Sequence, residues 1–245
     1  MAKAQPETFD FIFADPPYLL SNGGFSVSSG KQVSVNKGSW DKSSGQANDS
    51  NFHLQWISQC QRLLKPNGTI AISGTRHSIY KCAIALEQLG FKILNEIVWF
   101  KPNGAPNLGG RNFAESHEIV IWAAKNAKSK HVFNYLEMKT YDAPSDYIKK
   151  PGKQMRDVWV IPNTPPREKT FGKHPTQKPL ELLLRLISAT TTPGAKVLDP
   201  FCGSGTTGVA AKMLGRSFMG IDASPSYVDL AEARIKAAKK VVAHD

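Results

Sequence analysis

Val197-Leu198-Asp199-Pro200-Phe201-Cys202-Gly203-Ser204-Gly205-Thr206-Thr207 runs a short apolar strand into a glycine-rich turn and then into a helix. Gly203 and Gly205 let the backbone come close to a ligand, and the free N–H groups of a helix start face the same space. A nucleotide or nucleoside is the natural guest. Gly220-Ile221-Asp222 closes the next strand, where a carboxylate can bind ribose hydroxyls. A Gly-x-x-x-x-Gly-Lys stretch is absent, which argues against ATP.

Outward from this unit, apolar β-type runs alternate with amphipathic stretches. Strands are predicted over 9–14, 69–73, 91–100, 118–124, 196–198 and 217–221. Helices are predicted over 52–64, 77–89, 179–190 and 205–214, with a last one capped by Ser224-Pro225 and running to about Ala243. Lys65-Pro66-Asn67-Gly68 reads as a stop after the first helix. Residues 19–50, rich in Ser, Gly, Asn and Lys, read as one long loop. Alternation of this kind predicts an α/β domain with a mainly parallel twisted sheet flanked by helices. Over 127–172 the periodicity fades, prolines appear and cations outnumber anions. That stretch reads as an insert, or small lobe, on the main sheet, between one half of the domain at 1–126 and the other at 173–245.

A second motif, Asp15-Pro16-Pro17-Tyr18, directly follows the first strand. Ligands bind at the carboxyl ends of strands in open sheets. Two prolines fix the backbone and remove two N–H donors, so their carbonyls face no competing amide. The Asp15 carboxylate and the Pro16 carbonyl can each accept one hydrogen of an NH2 group on a planar ring, and Tyr18 can stack on that ring. The amine of adenine is a poor nucleophile because its lone pair is delocalised. Holding both hydrogens favours a pyramidal nitrogen able to attack a sulfonium methyl. A third motif, Lys173-His174-Pro175-Thr176-Gln177-Lys178-Pro179, stands at a helix start, where N–H groups and Lys178 can hold a carboxylate.

The 245 residues carry a net charge of +11, which points to a polyanionic partner, nucleic acid ahead of a membrane. Three cysteines without paired spacing suit a reducing cytoplasm. The scattered histidines suggest no metal site, and the start of the chain lacks the apolar core of a signal peptide. No apolar run is long enough to span a bilayer.

Taken in this order, the three motifs resemble the beta class of amino-methylating DNA methyltransferases. In that class the catalytic motif comes first and the cofactor loop near the end. Within it the chain is most similar to the DpnA-like and HinfI-like adenine methyltransferases. Phe13 to Tyr18, Trp40-Asp41-Lys42, Leu64 to Gly68, Phe91 to Asn95, Ala105-Pro106-Asn107 and His117-Glu118 carry the likeness. The resemblance implies a Rossmann-like S-adenosylmethionine-dependent methyltransferase fold with permuted motif order, and makes 127–172 the target-recognition insert. It implies that Asp15, Pro16, Pro17 and Tyr18 form the catalytic motif. It places S-adenosylmethionine on Asp199, Phe201, Gly203, Ser204, Gly205, Thr206 and Asp222, with His174, Thr176 and Lys178 near its methionine end. Members with Ser in place of Asp15 usually methylate cytosine N4, so Asp15 favours adenine N6.

Transfer is expected to be direct, with inversion and no covalent enzyme intermediate, so Cys202 is a packing residue. The target adenine must be flipped out of a duplex. Phosphate contacts are expected from Lys139, Lys149, Lys150, Lys153, Arg156, Arg167 and Lys169 in the insert. Lys31, Lys37 and Lys42, with Trp40, form a second candidate DNA contact in the 19–50 segment. A homodimer and a cognate restriction endonuclease are candidate partners. Members of the class carry a further strand and helix, with a Gly-Asp turn, before the segment matching Phe9, and no counterpart stands in this sequence. The competing readings are an N4-cytosine or RNA adenine methyltransferase, and a DNA-binding protein of this fold without turnover.

Overall fold

The computed structural model describes residues 1–18, 25–28, 31–34, 43, 45–104, 106–107, 109–146 and 152–240, of which 25–28 and 31–34 are described in backbone only. Lys37, Trp40, Lys42, Lys149 and Lys150 lie outside the described residues, and Lys31 is described in backbone alone.

Seven strands form one sheet: β1 (Phe9–Ala14), β4 (Leu64–Gly74), β5 (Lys92–Phe100), β6 (His117–Ala124), β7 (Val158–Val160), β8 (Lys196–Asp199) and β9 (Ser217–Gly220). Their order is β7-β5-β6-β4-β1-β8-β9. Every pairing is parallel except the two made by β6. β1 lies near the middle, with Phe11, Ile12, Phe13 and Ala14 all buried. Strands covered on both faces read as unbroken apolar runs, which is why β1 shows no polar alternation.

Helices α1 (Gln46–Leu63) and α2 (Ile79–Gln88) cover one face. Their Trp56, Ile57, Leu63, Ile79 and Leu86 pack on Ile12, Ile70, Ile72 and Ile121. On the other face, α4 (Leu180–Thr190) and α5 (Thr206–Met213) set Leu182, Leu186, Ala210 and Ala211 against Phe11, Phe13, Trp99 and Val120. The short α3 (Tyr135–Thr140) lies along α4, and α6 (Pro225–Ala237) packs on α5.

Residues 19–50 depart from the single loop expected of them. They hold an antiparallel hairpin, β2 (Phe25–Ser28) and β3 (Lys31–Ser34), and the first turn of α1. Phe25-Ser26-Val27-Ser28 does alternate, but its serines make it look like loop composition. The first turn of α1 is polar and mostly exposed, so no apolar period announces it. Asp49 anchors it, buried, accepting from Ser43 Oγ at 2.7 Å and lying 3.7 Å from Lys81.

The helix does stop ahead of Lys65 to Gly68, but the strand expected from residue 69 begins earlier: α1 passes directly into β4, whose Leu64 pairs with Phe9. Gly68 is required there, because a Cβ would stand 3.0 Å from the Phe9 carbonyl. Helix α6 ends at Ala237, short of Ala243, because Lys212 Nζ takes the Ile235 and Lys236 carbonyls at 2.9 Å each. Ser224 precedes that helix without a side-chain cap. Asp222 Oδ1 accepts the Ser224 N–H at 2.9 Å instead.

The 127–172 stretch supplies β7, an edge strand of the main sheet, and docks on α4 through a buried ion pair. Arg185 Nη1 lies 2.7 Å from Asp146 Oδ2, with side chains 2% and 5% exposed. Asp146 Oδ1 accepts the Val160 N–H at 2.9 Å, tying β7 to the same anion. The Arg185 guanidinium also lies 4.9 Å from the Trp159 ring. Removing one partner of a buried pair leaves the other charge uncompensated. Asp146→Ala should therefore lower unfolding free energy by about 3–5 kcal/mol, read from urea midpoints at unchanged slope; a loss under about 1 kcal/mol would show that Arg185 finds another partner.

Candidate active site

The carboxyl edge of the parallel strands collects the site. Asp15 follows β1, Ser73 sits near the end of β4, Lys101 follows β5 and Asp199 ends β8. Because β6 runs the other way, its first residues, His117 and Glu118, reach the same edge.

Asp15 Oδ1 accepts the Tyr18 hydroxyl and the Ser73 hydroxyl, each at 2.7 Å. Its Oδ2 pairs with Lys178 Nζ at 2.6 Å. Tyr18 Oη is also 2.8 Å from Glu118 Oε2, and Lys101 Nζ pairs with Glu118 Oε1. Lys178 Nζ lies 3.8 Å from Glu118 Oε2 and 5.0 Å over the Tyr18 ring. Two carboxylates and two ammonium groups thus balance in a nearly dry cluster. Burial alone would push the Glu118 carboxyl up, but Lys178 and Lys101 outweigh it and hold it down at about 2. Burial would likewise lower Lys178, yet Asp15 and Glu118 raise it, so it stays charged. Burial, then Asp15 and Glu118, push the Tyr18 phenol well up, so it keeps its proton.

Beside this cluster lies a cavity of about 470 Å³, a size usual for a small-ligand site. Asp15, Pro17, His174, Thr176, Lys178, Asp199, Phe201, Gly203, Ser204, Thr206 and Asp222 all line it, so the three motifs meet in one place. Three anticipated residues, Pro16, Gly205 and Tyr18, stand off its wall, Pro16 being buried. Gly205 packs behind the loop with φ +76°, where a Cβ would meet Ala231 Cβ at 2.7 Å. Tyr18 is 7% exposed and turned toward the carboxylates. Lys178 lines the cavity but its ammonium is held by Asp15.

The glycine loop is fixed by two anions. Asp199 accepts the Phe201 N–H at 2.9 Å and the Thr207 hydroxyl at 2.6 Å. Asp222 Oδ2 accepts the Gly203 N–H at 2.8 Å. A carboxylate has about four acceptor sites, so Asp222 retains capacity for ligand hydroxyls. Gly203, at φ +49°, leaves no room for a side chain, since a Cβ would stand 3.1 Å from the His174 ring. Arg234 of α6 clamps the loop from behind through the Ser204 carbonyl and Thr206 Oγ1. Phe52 and Tyr227 line the cavity as well. Phe52 lies 6.4 Å from the Phe201 ring, and Tyr227 lies 4.3 Å edge-on from His174. Aromatic walls, a carboxylate with acceptor capacity to spare on both oxygens and a cramped glycine backbone fit a nucleoside.

Ser73, Lys101, Phe52, Tyr227 and Arg234 were not anticipated as site residues, and Glu118 was noted only within the family likeness. Glu118 did leave a trace, as a lone acid heading the apolar run Ile119–Ala124. Of the basic residues in the insert, Arg167 and Lys169 flank Glu168, which accepts the Leu180 N–H at the head of α4, beside the site. Lys153 and Arg156 line a separate cavity between β5, α3 and α4, and Lys139 lies on α3. Burial pushes the Cys202 thiol up, as befits a packing residue.

Fold and site together define a Rossmann-like methyltransferase of the S-adenosylmethionine-dependent type, with its catalytic motif ahead of its cofactor loop. A DNA methylase family profile matches residues 9–233, and the chain belongs to that family. Type II methyltransferase M2.DpnII of Streptococcus pneumoniae is 52% identical over 238 residues, 97% of this chain and 86% of that protein. Type II methyltransferase M2.MboI of Moraxella bovis is 46% identical, over 96% of this chain and 83% of its own. Among solved structures, the M1.HpyAVI–SAM complex superposes with a TM-score of 0.67 at 32% identity, over 94% of this chain and 89% of its own.

Burial pushes the Asp199 carboxyl up to about 7, against the bonds from Thr207 and Phe201. A folded pKa above the unfolded value means stability that is full below about 4 and is lost as pH rises toward 7. Asp199→Asn should therefore gain stability relative to the wild type between those limits. Denaturant midpoints of both proteins at acid and at mildly alkaline pH check this; a difference that does not change with pH would contradict it.

Proposed function

We propose that this DNA methylase transfers a methyl group from S-adenosylmethionine to N6 of an adenine held outside the base stack. The observation that carries the reading is the Asp15 carboxylate at the strand end, followed by two prolines, on the wall of a nucleoside-shaped cavity. The SAM complex of M1.HpyAVI and the resemblance of the loop to its class support the choice of cofactor. Phe201, Asp222 and the Gly203 backbone would hold its nucleoside, and His174 and Thr176 its amino-acid end, while the Lys178 ammonium, also expected there, is committed to Asp15. S-adenosylmethionine supplies a sulfonium methyl when bound.

Everything else falls to the chain. Asp15 and the Pro16 carbonyl accept the two amine hydrogens and turn the nitrogen lone pair toward the methyl. Electrostatics and positioning supply the rate. As the N–C bond forms and the S–C bond breaks, its electron pair staying on a neutral thioether sulfur, the nitrogen becomes cationic, and the Asp15 carboxylate, already bonded to one N–H, stabilises that charge and takes the surplus proton for release to water. Tyr18 stacks on the ring, and such stacking contributes about 1–3 kcal/mol toward the cost of unstacking. The type II names of the relatives support a place beside a restriction endonuclease, and a homodimer in the cytoplasm remains part of the same proposal. No helix among the described residues is long and apolar enough to cross a membrane.

Digestion of bacterial DNA after incubation with methyl-labelled cofactor should yield label in N6-methyladenine; label in N4-methylcytosine would overturn the base assignment. Asp15→Ala should lower the rate by at least about 10³-fold while cofactor binding by calorimetry stays largely intact. Arg167 and Lys169 are exposed and flank Glu168, which holds the head of α4, so both are candidates to meet phosphate. Changing both to Gln should make the slope of log affinity against log salt shallower by about 1–2, and an identical slope would move the DNA path elsewhere.

A further inference from the structure

Asp15 is crowded. Two hydroxyls share Oδ1 and an ammonium sits on Oδ2, so three of its roughly four acceptor directions are filled before any substrate arrives. The Lys178 contact matters most. An amine that attacks a sulfonium turns cationic, and an ammonium 2.6 Å from the assisting carboxylate cancels the negative charge that the reaction needs. Tyr18 has a parallel difficulty. Its phenol has one proton to donate and two carboxylate oxygens within 2.8 Å.

Glu118 resolves both. It is the other carboxylate in contact with Tyr18 and Lys178, it is about as buried as they are, and Lys101 keeps it in place from the opposite oxygen. Its Oε2 already stands at hydrogen-bonding distance from Tyr18, and Lys178 lies 3.8 Å away, about one ångström beyond a close ion pair. A small shift therefore carries both groups from one carboxylate to the other without leaving either unpaired in a dry site.

We propose that Glu118, fixed by Lys101, is a positioning residue that draws the Tyr18 hydroxyl and the Lys178 ammonium off Asp15 when the target amine arrives. Asp15 then meets the amine as an uncompensated anion with a free oxygen. Glu118 itself touches neither base nor cofactor. The inference rests on the reading of the site as an N6-adenine methyltransferase.

Glu118→Gln keeps the shape and an acceptor for Tyr18 but cannot attract Lys178. It should lower kcat by about 100-fold, with KM for DNA and cofactor affinity close to the wild type, and Glu118→Asp should recover part of the loss. Lys178→Gln removes the ammonium that Glu118 is to draw away from Asp15. In that background the cost of Glu118→Gln should shrink to less than about tenfold, which a merely structural role would not produce. Lys101→Gln, which frees Glu118 without removing it, should lower kcat in the same direction, so an unfolded Glu118→Gln protein does not end the test. Wild-type kcat in Glu118→Gln, or losses that simply multiply with Lys178→Gln, would overturn the proposal. Wild-type protein assayed alongside separates the two failures: no N6-methyladenine from it would remove the adenine reading and this inference together.

Discussion

The ladder between β1 and β8 is the constraint on which the rest depends. Phe11 pairs with Val197 and Ile12 with Leu198, so strands from opposite ends of the chain run side by side in the middle of the sheet. Their parallel direction puts Asp15 and Asp199 at the same edge, and the cavity opens between the two turns that follow. Asp10 fastens the other end of this ladder: its Oδ2 accepts the Lys196 N–H at 2.8 Å, and Lys65 pairs with its Oδ1 at 2.8 Å. Asp15 and Asp199, more than 180 residues apart in sequence, are thereby held in fixed relation by main-chain bonds between their strands.

The same edge gathers charge, and burial makes that charge expensive. A buried carboxylate or ammonium is tolerated only when paired and hydrogen-bonded. Asp15, Glu118, Lys178 and Lys101 satisfy that condition as a set of four, and removing one upsets the pairing of another. Replacing such a set with apolar residues commonly preserves stability, so stability alone does not account for keeping it. What the ions provide is a carboxylate held in one place, with its competitors given an alternative partner.

Those parts of the fold that rest on local order are legible in the residues. Asp15 to Tyr18 and Asp199 to Thr207 each follow an apolar run and carry their own turn chemistry, so strand, turn and ligand face can be placed without knowing the tertiary structure. Lys101 and Glu118 are different. They meet because Phe100 pairs with His117 across an antiparallel junction in an otherwise parallel sheet, and no local pattern states that register. Ser73 is hidden for a similar reason, being an ordinary small residue in an apolar strand until β1 is laid beside β4. Residues 25–34 failed differently. There the period-two signal exists, but it is written in serines, lysine and glutamine, and composition outweighed it.

The two halves of the site are prepared to different degrees. On the cofactor side the loop is already set: Asp199 and Asp222 hold its N–H groups, Arg234 holds a carbonyl, and the glycines leave the cavity open. A ligand there has little backbone to order, so its contacts go to affinity and are not consumed in folding the loop. On the base side Tyr18 is buried and its hydroxyl is engaged by two carboxylates, one of them also bound by Lys178. On the function proposed above, a base is received there by displacing contacts that are sound in themselves. That asymmetry suits an enzyme that meets its methyl donor with a ready-made loop yet presents a bare carboxylate only to the one amine that fits.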